Sequence, residues 1–281
     1  MRFMTHSSIP YGSFQYMTNS LLSVIAIIFY FVAFTYQKSQ ARRGPVFDSS
    51  KLKYLTGIAL LMHGATTIAL ITDPDGLDLS LINVFVLTTF VINALVLTKQ
   101  LNTILNTLYI LLFPVSGAIL LIAAITSGNK PIMPASANLQ VHVLTSILAY
   151  SLITISSLQA LLIQLQIRQL KYKSKYKVVN ALPSLEVMEK VLFRIILVSE
   201  IFLSISLVTG FFFYDNLQEQ NLLHKVVFSS TAWFCFAVLL FGRFLRGWRG
   251  QLAIRLTWIS FICLVLGFVG TKFVLEYIVK I

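Results

Sequence analysis

The run VLFRIILVSEIFLSISLVTGFFF at residues 191–213 decides the fold. It is apolar almost throughout, broken only by Arg194 near its start and Glu200 further in. As a helix rising 1.5 Å per residue it reaches about 35 Å, enough to cross the roughly 30 Å hydrocarbon core of a bilayer. Segments of the same kind recur at 19–37, 52–72, 79–98, 103–126, 139–167, 222–242 and 252–279. Composition agrees, with 57% hydrophobic residues, 11% charged and a mean hydropathy of +0.82, where soluble domains are about a quarter charged. The pattern predicts an all-α polytopic membrane protein, a bundle of about eight transmembrane helices. The connections are too short for a separate soluble domain, so residues 1–281 read as a single transmembrane domain.

Basic residues near span ends are retained on the cytoplasmic side. Alternate connections carry Lys38, Arg42, Arg43, Lys51 and Lys53; then Lys99; then Arg168, Lys171, Lys173, Lys175, Lys177, Lys190 and Arg194; then Arg243, Arg246, Arg249 and Arg255. The opposite side has Arg2, Lys130, Lys225, Lys272 and Lys280, together with Asp73, Asp75, Asp78, Asp215 and Glu219. Both termini are therefore expected on the outer side, which in a bacterial inner membrane is the periplasm.

Despite the net charge of +12, no nucleic-acid partner is expected. The run RQLKYKSKYK at 168–177 interleaves basic and aromatic residues, but a cytoplasmic loop beside anionic lipid requires the same composition. The first apolar run begins after residue 18 and ends in Tyr36-Gln37-Lys38 rather than in small residues, so it reads as a retained span and not a cleaved leader. Cys235 and Cys263 lie singly within spans, with no C-x-x-C or C-x-x-C-H, and read as packing residues. Phosphate loops, nucleophile elbows and metalloprotease motifs are absent from the sequence, so no enzyme is expected. Pro114 is expected to kink the fourth span, with Gly117 beside it permitting close helix packing.

Ionisable groups at membrane depth are costly and carry a functional presumption. His142, in NLQVHVLTSILAY (138–150), and His224, in NLLHK (221–225), stand at matching depth near the outer ends of the fifth and seventh segments. As neutral imidazoles on facing helices they are candidate axial ligands for the iron of a haem b held near the outer face. Alternatively, each is an interfacial histidine that caps a helix or meets headgroups. Lys225, adjacent to His224 and one of the few outer-face cations, is a further candidate. His63 and Glu200 fall near the bilayer centre on the second and sixth segments, either as a hydrogen-bonded pair or as separate groups satisfied by backbone and hydroxyls. His63 is the candidate ligand for any second haem. His6, in the outer tail, reads as incidental. The aromatic run Phe211-Phe212-Phe213-Tyr214 reads either as a porphyrin wall or as an interfacial belt.

The stretch from His142 to Tyr150, and the C-terminal stretch from His224-Lys225 through Trp233, Gly242-Arg243 and Gly247-Trp248-Arg249-Gly250 to Gly270-Thr271-Lys272-Phe273-Val274-Leu275-Glu276, carry a resemblance that spans the chain. The sequence resembles the integral membrane cytochrome c assembly family, within it the small HemX-like or YpjD-like branch rather than the full-length CcsA and CcmC haem handlers. The resemblance implies a protein that binds or handles haem for cytochrome c maturation, with His142 as the outer-face histidine and His63 as the intramembrane one. Partners implied are the lipid bilayer, haem and other maturation or haem-biosynthesis proteins. The family's tryptophan-rich outer motif has no counterpart in residues 214–225, and no histidine follows the last span, which narrows the expected role from haem delivery to haem binding. His224 lies on the face where that second outer histidine is missing. Two other readings stand beside this one: a non-catalytic regulator of tetrapyrrole synthesis acting through the basic 168–190 loop, and a small-solute or ion transporter using His63 and Glu200.

Overall fold

The computed structural model describes residues 11–43, 49–73, 76–98, 108–126, 132–133, 137–172, 182–213, 223–274 and 278. His6, residues 173–181 of the basic loop and residues 214–222 lie outside the described residues.

A backbone crossing hydrocarbon must satisfy its own N–H and C=O groups, so each apolar run folds as a helix. Among the described residues these helices are α1 (Tyr11–Arg43), α2 (Ser49–Ile71), α3 (Leu81–Leu97), α4 (Tyr109–Ile125), α5 (Ala137–Tyr172), α6 (Leu185–Phe213), α7 (Leu223–Arg246) and α8 (Gln251–Val265). The last continues through a π-helical turn at Leu266–Gly270 into Thr271–Phe273. Six of these are long and apolar enough to cross a membrane. The other two, α3 and α4, have 17 residues each, at the short end of what spans a bilayer. Helices α1, α5 and α6 outrun their apolar cores, α6 beginning at Leu185 rather than at 191.

One element was not expected. Three short strands, β1 (Thr72–Asp73), β2 (Gly76–Asp78) and β3 (Ile132–Met133), form an antiparallel sheet in the order β1-β2-β3. It ties the α2–α3 connection to the segment before α5. The turn is fastened by Asp78, which accepts the Ser80 amide, and by Asn83, which donates to the Leu70 carbonyl at 3.0 Å.

The helices pack as two four-membered groups. In the first, α1 meets α2 and α4 while α3 meets α2 and α4; in the second, α5 meets α6 and α8 while α7 meets α6 and α8. The groups join where α3 packs on α5. Lipid is as apolar as the side chains it replaces, so cohesion comes from close packing and interhelical polar contacts. Tyr30, Tyr109 and Phe113 fill the first group, with Asn93 donating to Ser116 at 2.8 Å between α3 and α4. Pro114 lies inside α4, but Gly117 faces open space and serves no close packing.

The Gly247-Trp248-Arg249-Gly250 stretch is the turn between α7 and α8. Gly247 and Gly250 have φ of 67° and 65°, a region other residues enter only under strain. The Gly250 amide donates to Glu189 at 3.0 Å, and Arg243 donates to the Trp248 carbonyl while its guanidinium stacks on Phe193.

Candidate functional site

His142 projects from the second turn of α5 toward α6. Its Nδ1 lies 3.0 Å from the Ser206 carbonyl oxygen and 3.2 Å from Thr209 Oγ1. A carbonyl only accepts, so Nδ1 carries the proton and the lone pair is on Nε2. The ring reaches Ser206 because residue 210 is glycine: a Cβ there would sit 2.9 Å from His142 Cε1. Ser146 locks the same turn, donating to the His142 carbonyl and contacting Ser206 Oγ, both at 2.7 Å.

Beside this imidazole is a cavity of about 360 Å³ between α5, α6 and α7. Leu203, Leu207 and Val226 give it apolar walls, and Phe211 and Phe212, both 71% exposed, form its rim. Its polar lining comprises His142, Lys225, Tyr150 and a few serines. A smaller cavity of about 80 Å³ lies beyond His142, bounded by Leu79, Phe268, Lys225 and Lys272.

The structure therefore brings His142 together with Lys225, not with His224. His224 is exposed in the first turn of α7 and lines neither cavity. Successive helical residues point about 100° apart, so turning Lys225 toward His142 turns His224 away from it.

His63 belongs to another neighbourhood. It is fully buried, its Nε2 lies 3.1 Å from the Val86 carbonyl and so carries the proton, and its Nδ1 accepts from the Tyr30 hydroxyl at 2.9 Å. Phe90 packs edge-on to the ring. His63 joins α1, α2 and α3, and to ligate iron it would have to surrender one of these bonds. Glu200 does not pair with it. The Glu200 carboxylate is buried on α6 and neither oxygen has a hydrogen-bond partner among the described residues. The two groups share a depth but not a site.

The sequence reading did not single out Lys272 and Phe268. Lys272 Nζ donates to the Leu79 carbonyl, and Phe268 lies between Lys225, Lys272 and Tyr150. The available signal was charge: Lys225 and Lys272 are among the few basic residues on the side where such residues are scarce.

Among the described residues no three His, Cys, Asp or Glu side chains converge. A bare metal ion would find a single nitrogen at His142. A metalloporphyrin brings four nitrogens of its own, so one imidazole with its Nδ1–H anchored, next to an apolar cavity, suits it.

A family model described as Cytochrome C assembly protein matches residues 51–279. The chain is similar to the inner membrane protein YpjD of Escherichia coli (strain K12), with 30% identity over 228 residues, 79% of this chain and 85% of that protein. It is also similar to an uncharacterized 28.8 kDa protein in the nifR3-like 5' region of Azospirillum brasilense, 29% identical over 140 residues, 49% of this chain and 52% of that one. No solved structure matches.

Proposed function

The chain belongs to the cytochrome c assembly protein family, and from that premise we propose that it binds haem b in the α5–α6–α7 cavity, near the periplasmic face, as a non-catalytic component of haem handling. It is a multi-pass membrane protein, and its likeness to an inner membrane protein over most of both lengths supports the same location. The distribution of basic residues supports an arrangement with both termini in the periplasm.

The observation that carries the proposal is the His142–Ser206 hydrogen bond at 3.0 Å. Metal-ligating histidines characteristically donate their second ring N–H to a carbonyl or carboxylate, which fixes the tautomer and raises the basicity of the ligating nitrogen. His142 would bind the iron through Nε2; Leu203, Leu207 and Val226 would hold the macrocycle and exclude water; Phe211 and Phe212 would cover its outer edge. A haem bound there would supply an iron centre for redox chemistry.

Purification from haem-replete cells tests this. The wild-type chain is expected to carry a Soret band that His142→Ala loses while remaining folded and monodisperse. Well-folded wild-type protein without haem would remove the proposal.

A further inference from the structure

The outer end of the His142 cavity holds more positive charge than an apolar cargo explains. Lys225 Nζ lies 5.3 Å and Lys272 Nζ 5.7 Å from the centroid of the same Phe268 ring. Lys225 lines both cavities, and Lys272 lines the smaller one. Lys272 spends one donor on the Leu79 carbonyl. For Lys225, no described carboxylate lies within ion-pair distance, and the Phe268 face is the contact its ammonium makes. Two ammonium groups gathered at one aromatic ring, at the edge of a bilayer and beside a cavity, repel each other and lose hydration. Such an arrangement is costly by itself, and an anion held beside Lys225 offsets that cost.

We infer that Lys225, Phe268 and Lys272 form a carboxylate subsite of this cavity, so that the bound molecule is selected as an apolar body bearing an acidic side arm. Lys225 donates directly to the carboxylate, Lys272 adds its charge from its place over the same Phe268 ring, and Tyr150, 5.2 Å from that ring, holds Phe268 in place. With the reading of the cavity as a haem site, on which this rests, the acidic arm is a porphyrin propionate. His142 then fixes the metal and the lysines fix the edge, which together set the orientation of the ring.

The test separates metal from carboxylate. Protoporphyrin IX without iron, and its dimethyl ester, are titrated by fluorescence into the full chain in nanodiscs of zwitterionic lipid. The diacid is expected to bind about tenfold more tightly than the diester, the worth of one charge-assisted hydrogen bond. Lys225→Gln should abolish that preference by weakening the diacid alone, Lys225→Arg should retain most of it, and His142→Ala should leave it unchanged. Equal affinities for diacid and diester in the wild type, or a preference that survives Lys225→Gln, overturn the subsite. So does a preference that vanishes when phosphatidylglycerol is added, because a lipid headgroup would then be its occupant. Failure of the haem reading looks different: iron protoporphyrin would show no His142-dependent Soret shift while the diacid preference persisted.

Discussion

The His142 imidazole of α5 and the Ser206 carbonyl of α6 are joined across two helices by a 3.0 Å hydrogen bond. In a helix that carbonyl already accepts the amide four residues on, and the Thr209 hydroxyl lies 3.1 Å from it, so the imidazole adds a further donor, approaching over residue 210. The bond orients a side chain that depth alone would leave undirected.

Gly210→Ala tests that approach without touching the ligand. Its Cβ would lie 2.9 Å from His142 Cε1, so the ring must tilt and its bond to Ser206 lengthen. Alanine is the better helix former by about 1 kcal/mol, so the melting temperature should hold. Haemin affinity should fall about tenfold, as expected for losing roughly one hydrogen bond's worth of orientation. Titration followed at the Soret band, with a thermal melt alongside, reads both.

Tyr30→Phe should act on stability and not on haem. It strips the hydrogen bond from His63 Nδ1 in a fully buried setting, at a cost of about 1–3 kcal/mol for the group left unsatisfied. A lower melting temperature with an unchanged Soret band is the expected result, and loss of the band would make His63 a ligand.

Glu200→Met should stabilise the fold or leave it unchanged. The buried carboxyl has no partner among the described residues, and removing an unsatisfied buried polar group returns about 1–3 kcal/mol. A proteoliposome flux assay completes the experiment: transport that depends on Glu200 would favour the transporter reading.

Gly250→Ala should destabilise the α7–α8 turn by about 1–3 kcal/mol, because at φ 65° and ψ −131° a side chain is strained. Haem affinity should be unaffected, since the cavity lies toward the other end of α7. A thermal melt with a haemin titration checks both parts.

The eight helices were legible in the sequence because hydrophobic length is a direct physical demand of the bilayer. The β1–β3 sheet was not, as strands of two or three residues leave no periodic signal. At the site, depth could be counted from the sequence but helix rotation could not. Depth put His142 beside His224 and His63 beside Glu200. Rotation separates both pairs, giving His142 Lys225 as its neighbour and His63 the Tyr30 hydroxyl. A rotation of one residue exchanges His224 for Lys225, and the apolar run around them does not fix it. Lys272 reaches the site from the far end of the chain, a contact that no local pattern encodes.

The most direct measurement is the absorption spectrum of His142→Gly purified from haem-replete cells, with and without added imidazole, beside the wild type and His224→Ala. The wild type and His224→Ala should show a Soret band. His142→Gly should lack it, and free imidazole occupying the vacated position should restore it. A Soret band that persists in His142→Gly without imidazole, or that disappears in His224→Ala alone, would contradict the assignment of His142 as the ligand.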